Sequence, residues 1–447
     1  MSADLAETLE RHAETVRGLP AVRMNGRITR VVGLVMEGVG TGSSVGELCL
    51  VYPRGAGGAG GAGEAIRCEV VGFSEDRVIL MPLGDVRGVG PGSRIVAGRS
   101  GASVFVGPGL LGRTIDGLGE PIDGLGAIDA ESEYPLYNAP PNPLMRRRIS
   151  SPLGVGVKAI NGLLTVGKGQ RVGIFAGSGV GKSVLMGMMA RSAEADVNVI
   201  ALVGERGREV KEFIEKDLGP EGLARSVLVV ATSDQPPLVR MRAALMATAI
   251  AEYFRDRGRD VLLLMDSITR FAMAQREVAL AAGEPPATRG YPPSVFALLP
   301  KLLERAGTGS GEGSITGFYT ILAEGDDAFD PVADASRAIL DGQVALSRRL
   351  AVQGHYPAID VLDSISRVMT DIVTPEHREV ARKVRSLLAA HARAADLISI
   401  GAYKKGSDPK VDHAISVMDR VRAFLTQEMD ENVGYDDSLQ RLFALPL

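Results

Sequence analysis

The sequence predicts an α/β chain in three successive parts: a small β-barrel, a mostly parallel sheet covered by helices, and a helical end. Three observations carry this. Short β-rich runs crowd residues 26–97 between Gly, Pro and Asp turns, which is the pattern of a small barrel. From about residue 171, apolar runs alternate with helical stretches, and that alternation calls for a parallel sheet with helices on both faces. After about residue 350 the strands stop, and helical patterns fill 376–395 and 410–430. The expected divisions are an N-terminal helix over 1–23, a barrel over 24–98, a sheet domain over 99–350 and a helical domain over 351–447.

Composition sets the class. The chain has 447 residues, 45% hydrophobic and 23% charged, the balance of a globular protein with room for several domains. No apolar run approaches the ~18 residues that a membrane helix needs. The start, Met1-Ser2-Ala3-Asp4-Leu5-Ala6-Glu7, lacks a basic region followed by an apolar core, so no secretory signal is expected. A net charge of −4 argues against a dedicated nucleic-acid binder. Cys49 and Cys68 read as buried free thiols, and the five histidines lack metal-ligand spacing.

Along the chain, Leu5, Leu9 and Val16 mark a short amphipathic helix over 3–17. The barrel runs are Ile28–Val35, Glu47–Tyr52, Ala65–Gly72, Arg77–Met81 and Arg94–Val96. Between them, the Gly/Ala tract 55–63 reads as a hairpin loop with no function assigned. A Gly/Pro-rich approach over 99–165 includes Asn138-Ala139-Pro140-Pro141-Asn142-Pro143. Strand-like runs then follow at Arg171–Phe175, Val197–Val203, Ser226–Ala231, Val261–Met265 and Ile315–Leu322. Helical stretches such as Leu238–Arg255 and Phe271–Ala282 lie between them.

The chemistry is concentrated in FAGSGVGKSVL, residues 175–185. A buried strand, a Gly-rich turn ending in Lys-Ser and a helix start form the layout of a phosphate-binding loop. Glycines let backbone N–H groups point at phosphate oxygens, and the helix N-terminus adds partial positive charge. Lys182 is expected to reach the terminal phosphates and Ser183 to ligate Mg²⁺. The strict pattern has Gly where Ala176 stands, a small cost unless that residue needs a positive φ. Downstream, the apolar run Val261–Met265 ends in Asp266, a carboxylate suited to orienting a Mg²⁺ shell. LVGERGREV places Glu205 and Arg206 at another strand tip, where a carboxylate can polarise an attacking water. The bland alternative there is a cluster of salt bridges opening a helix.

Longer motifs carry a resemblance. GSGVGKS, GERGRE, LLLMDSITR, GEPPATRGYPPSVF, DPVADASRAILDGQVALSRRLA and GHYPAIDVLDSISR resemble those of the rotary-type hexameric ATPases, relatives of ATP synthase catalytic subunits. Within these, the chain is most similar to the flagellar type III protein-export ATPase family, from about Leu19 to the C-terminus. The resemblance implies a RecA-like nucleotide-binding core and a homohexamer that hydrolyses ATP with Mg²⁺ at its subunit interfaces. It implies that Gly177, Ser178, Gly179, Val180, Gly181, Lys182, Ser183 and Val184 bind nucleotide, and that Tyr356 packs on adenine. It implies that Glu205 activates water, Arg270 helps set up that carboxylate, and Arg367 is an arginine finger acting on the neighbouring subunit. It also implies a cytoplasmic protein peripherally attached to a membrane export apparatus. The partners so implied are a stator-like dimer at the N-terminus, a coiled-coil stalk protein in the ring centre, an export gate, and export substrates with their chaperones.

Four other readings compete. An RNA-translocating hexamer needs stacking aromatics in its barrel, and residues 24–97 offer only Tyr52 and Phe73. A synthase catalytic subunit normally leaves the finger to a second subunit type, whereas this chain carries both Glu205 and Arg367. A virulence-injectisome ATPase shares every catalytic motif, and overall similarity alone favours the flagellar version. A non-catalytic ring component would be expected to lack Glu205 or Lys182, and both are present.

Overall fold

Short alternating strands roll the first unit of the chain into a barrel. The computed structural model describes residues 25–53, 64–323 and 330–447, so the predicted helix over 3–17 and the Gly/Ala tract 55–63 lie outside the described residues. Six strands are formed: β1 (Asn25–Val32), β2 (Val35–Val39), β3 (Glu47–Tyr52), β4 (Ile66–Ser74), β5 (Arg77–Pro82) and β6 (Arg94–Gly101). They close in the order β1-β2-β5-β4-β3-β6, with β6 returning to pair with β1. Ile28, Met36, Val51, Val70, Leu80 and Ile95 fill the interior. Cys49 and Cys68 face each other across β3 and β4, buried and unbridged. Burial pushes both thiols above the ordinary range, Cys68 the further.

The run read as one strand over Ile28–Val35 is two. Val32 pairs directly with Val35, and Gly33, with φ +55°, turns the chain between them. A two-residue hairpin turn needs positive φ, which glycine supplies without strain. The flanking valines hide the turn inside an apparently continuous β run.

The second unit begins at Ser103. Its sheet is built from β7 (Thr114–Asp116), β8 (Arg171–Ala176), β9 (Val197–Val203), β10 (Ser226–Ala231), β11 (Asp260–Asp266), β12 (Ser314–Leu322), β13 (Gly342–Leu346) and β14 (Ile359–Ser366). The order is β14-β13-β8-β12-β11-β9-β10-β7, and the short strand Gly307–Thr308 adds to β12. Pairings along the path are parallel except β13 with β14. Every residue of β9 and β10 is buried, as central strands covered on both faces require. The covering helices are α1 (Lys182–Ser192), α2 (Pro237–Asp256), α3 (Ile268–Ala281) and α4 (Pro331–Ile339).

The strands do not stop at residue 350. β14 follows and pairs antiparallel with β13 at the sheet edge. Its sequence, IDVLDSIS, buries only Ile359, Val361 and Ser364, so it lacks the continuous apolar signal of the central strands. Beyond it come α5 (Pro375–Ser399), α6 (Pro409–Leu425) and α7 (Tyr435–Phe443). Val384, Leu387, Val421, Phe424 and Leu442 of these helices join Ile160, Met186 and Ile174 in one core. The helical end is therefore welded to the sheet domain by shared apolar burial. Among the described residues, no helix is long and apolar enough to cross a membrane.

Candidate active site

The site forms where β8, β9 and β11 end. β8 runs into the Gly-rich loop, and Gly181, with φ +93°, caps α1. The first-turn N–H groups of a helix have no partner within it, so those following Gly181 stand ready for an anion. Val180 is buried, so its side chain anchors the loop, while Ser178, Gly179, Ser183 and Val184 are exposed. A methyl group placed on Gly179 would meet nothing within 4 Å, which leaves open space over the loop. One placed on Gly181 would lie 3.7 Å from the Tyr356 ring. The tyrosine predicted to pack on adenine thus stands against the loop, although 173 residues separate Tyr356 from Ser183 (356 − 183).

Lys182 is held between two carboxylates. Its Nζ donates to Asp266 Oδ1 at 2.6 Å and lies 3.6 Å from Glu205 Oε1. Burial works against its charge, but Asp266 and then Glu205 outweigh it and hold the ammonium above the ordinary lysine range. Thr320 on β12 also donates to Asp266 Oδ1, at 2.7 Å. Both donors use one oxygen of Asp266.

Glu205 behaves differently. Burial first, and the nearby Asp266 second, push its carboxyl up to about 7, while Lys182 pulls the other way. Glu209, one helical turn on, is held below the ordinary range, chiefly by a hydrogen bond from Glu205. Gly204 precedes Glu205 with φ +74°, and a Cβ there would sit 2.9 Å from Arg270 Cβ and 3.0 Å from its Cγ. The Arg270 stem therefore packs directly on the strand tip that presents Glu205. Its Nε is buried without a hydrogen-bond partner among the described residues.

Two predicted residues are not brought into this cluster. Arg206 turns outward, 77% exposed, and pairs with Glu209 at 2.9 Å. Arg367 follows the far end of β14, where its Nη2 donates to the Arg337 carbonyl at 3.3 Å. Two contributors had no assigned role from sequence. Thr320 is a polar residue inside the apolar run GFYTIL, a signal that was legible. Arg348 donates to the Ser178 carbonyl at 3.2 Å, and nothing in SRRLA distinguishes it from Arg349.

A strand-loop-helix cradle, a buried lysine and two carboxylates are common to many nucleotide-binding proteins, so comparisons decide the lineage. Residues 156–366 match the nucleotide-binding domain of the ATP synthase alpha/beta family, and residues 28–97 match its β-barrel domain. The chain belongs to this family. Residues 373–444 match the EscN-type C-terminal domain of type III secretion ATPases. The flagellum-specific ATP synthase of Salmonella typhimurium is 56% identical over 432 residues, covering 95% of this chain and 94% of that one. The type 3 secretion system ATPase of Xanthomonas euvesicatoria is 51% identical over 442 residues, covering 99% and 98%. Among solved structures, the assembled EscN ATPase of enteropathogenic E. coli superposes with a TM-score of 0.87 at 44% identity, covering 94% of this chain and 99% of that one. A second structure, of EscN with its central stalk EscO, gives 0.85 at the same identity and coverage. The fold is thus a β-barrel, a parallel-sheet nucleotide-binding domain and a helical C-terminal region, and the chain is an ATP-hydrolysing enzyme of flagellar and type III protein export.

Proposed function

We propose that this chain works as a homohexamer in a flagellar export apparatus, with each ATP site shared between two copies. The observation that supports sharing is the placement of Arg367. In the sheet, Ser366 pairs with Gly342, which pairs with Val172 near the start of β8. The phosphate loop follows the other end of β8, six residues long, so roughly 20 Å separate the two at ~3.3 Å per residue. One arginine side chain does not span that distance, and a partner copy supplies the natural target.

In this reading, the backbone of Gly177 through Val184 cradles the phosphates and Lys182 leaves Asp266 to meet them. Tyr356 stacks on the base. Glu205 takes the proton of the attacking water, and its raised pKa suits a base working near neutrality. Arg270 braces the strand tip that carries Glu205, and Arg206 acts on it only through Glu209. Arg367 stabilises charge on the transferring phosphoryl group of the next copy, a role typically worth ~10³–10⁵ in rate. Ser183 and Asp266 fit Mg²⁺: both offer hard oxygen donors, Asp266 has a second oxygen to give, and Mg²⁺ needs only one or two protein ligands beside phosphates and water. When bound, Mg²⁺ neutralises charge developing on the phosphate oxygens.

The test mixes inactive Lys182→Ala chains with inactive Arg367→Ala chains. Mixed oligomers contain interfaces with an intact loop and an intact finger, so partial recovery of ATPase activity is expected. No recovery, with mixed oligomers shown to form, overturns sharing. The assembled state of EscN and its stalk complex support an oligomer with a stalk partner here. A stator-like dimer on residues 3–17, an export gate and chaperoned substrates complete the proposed partners, at the cytoplasmic face of the membrane. A chain lacking residues 2–18 that still co-purifies with the stator protein would remove that docking site. Loss of motility and of extracellular filament protein on deletion separates flagellar from virulence export.

A further inference from the structure

The main chain at Arg367 is fixed by groups remote in sequence. Its N–H donates to the Asp341 carbonyl at 2.9 Å. That carbonyl also accepts from Gln170 Nε2 at 3.1 Å. The same amide donates to Ser366 Oγ at 3.1 Å, and the Ser366 hydroxyl donates to the Thr165 carbonyl at 2.7 Å. Gln170 and Thr165 are fully buried, so this part of the frame is shielded from water. Asp341 is held in turn. Its carboxylate takes Arg171 Nε at 2.9 Å and Nη2 at 3.1 Å, and its N–H donates to the Arg171 carbonyl at 2.8 Å.

We propose that Ser366, Gln170 and Asp341 are positioning residues for Arg367, with the Ser366 hydroxyl as the link that fixes the finger's base. This rests on the reading of Arg367 as a finger acting in a neighbouring copy. The arginine side chain is exposed and, among the described residues, hydrogen-bonds a single carbonyl, so its aim depends on where its Cα is held. Small misplacements of catalytic groups cost rate steeply, because alignment is paid for in advance by the scaffold. The frame sits at the end of β8 opposite the phosphate loop. Loosening it therefore affects the finger and leaves the chain's own nucleotide cradle intact. Gly342 belongs to the same design: a Cβ there would lie 2.7 Å from the Ile365 carbonyl oxygen and 3.1 Å from Gln170 Nε2.

The experiment uses the full chain as Ser366→Ala, Arg367→Ala, the double variant and Ser366→Thr. Turnover, KM, affinity for a fluorescent ATP analogue and thermal midpoint are measured at concentrations where the oligomer forms. Ser366→Ala is expected to lower kcat by up to ~10²-fold while analogue affinity stays within about twofold. Ser366→Thr, which keeps the hydroxyl, recovers most of the loss. The double variant is no slower than Arg367→Ala alone, because a positioning residue has nothing left to position. If the two losses multiply, or if Ser366→Ala turns over normally, the frame is overturned. Wild-type turnover by Arg367→Ala instead overturns the finger reading, and the frame with it. Should Ser366→Ala fail to fold, Ser366→Cys keeps the shape with a weaker donor. It is expected to show the same kcat-selective loss in milder form, and a loss in affinity instead would overturn the proposal.

Discussion

Glu205 carries an acid–base consequence that its neighbours do not. Burial and Asp266 raise its carboxyl from the ordinary value of 4.5 to about 7. A water-activating base must be ionised, so kcat/KM, which reports the free enzyme, is expected to rise through about pH 7 and then level. A pH profile of kcat/KM checks this, and a midpoint in the ordinary carboxylate range would contradict it. The stability sign follows from linkage. Between 4.5 and about 7 the folded state binds more protons than the unfolded chain, so this group's contribution to stability falls as pH rises through that window. Glu205→Gln should therefore raise the thermal midpoint at pH 8 relative to wild type, with little change at pH 5, while ATPase activity is lost at both. At this scale sequence was informative where a motif carries its own context: Lys182, Glu205 and Asp266, each singled out from its own motif, lie together in the structure. It marked Thr320 only as a polar residue in an apolar run and was silent on Arg348, because the role of each depends on which strand or loop lies opposite.

Among the elements, the tip of β9 shows how a backbone conformation sets chemistry. Gly204 holds φ +74° while the Arg270 stem packs on its Cα. Gly204→Ala adds both backbone strain and a collision, and a loss of about 1–3 kcal/mol is expected. Urea denaturation measures that loss. ATPase activity should fall further than folding alone explains, because Arg270 and Glu205 are displaced together. The legibility of elements tracked their burial. β9 and β10 fall on the predicted residues because they are buried throughout and apolar except at Asn198 and Ser226. β7, β13 and β14 escaped because they are short or half-exposed, and the β1–β2 turn escaped because valines flank it.

In the molecule as a whole, a buried ion pair fastens the long approach to the sheet. Arg305 and Glu252 are 2% and 1% exposed and meet through two hydrogen bonds of 2.9 and 2.7 Å. Arg305 also donates to the Leu136 carbonyl at 2.5 Å, and Asn138 donates to Glu252 at 3.2 Å. Glu252→Ala leaves a buried guanidinium without its partner, and about 3–5 kcal/mol of destabilisation is expected. Chemical denaturation checks it, and a loss under 1 kcal/mol would show that Arg305 finds another partner. No local pattern announced this pair, since Glu252 reads as one more polar residue on a helix. Tyr356 and Arg367 show the same limit. Their roles came from resemblance, and only the strand order sets one beside the loop and the other far from it.

The closure of β6 onto β1 has a consequence for what the barrel can touch. A sheet with a free edge offers a row of unspent amide and carbonyl groups, and any extended polypeptide can zip onto it regardless of sequence. Among the described residues this barrel has spent that row on itself. An unfolded segment passing nearby finds side chains to read but no ladder to join. Whatever extended chain comes near, the barrel is expected to stay a six-stranded ring and take on no seventh strand.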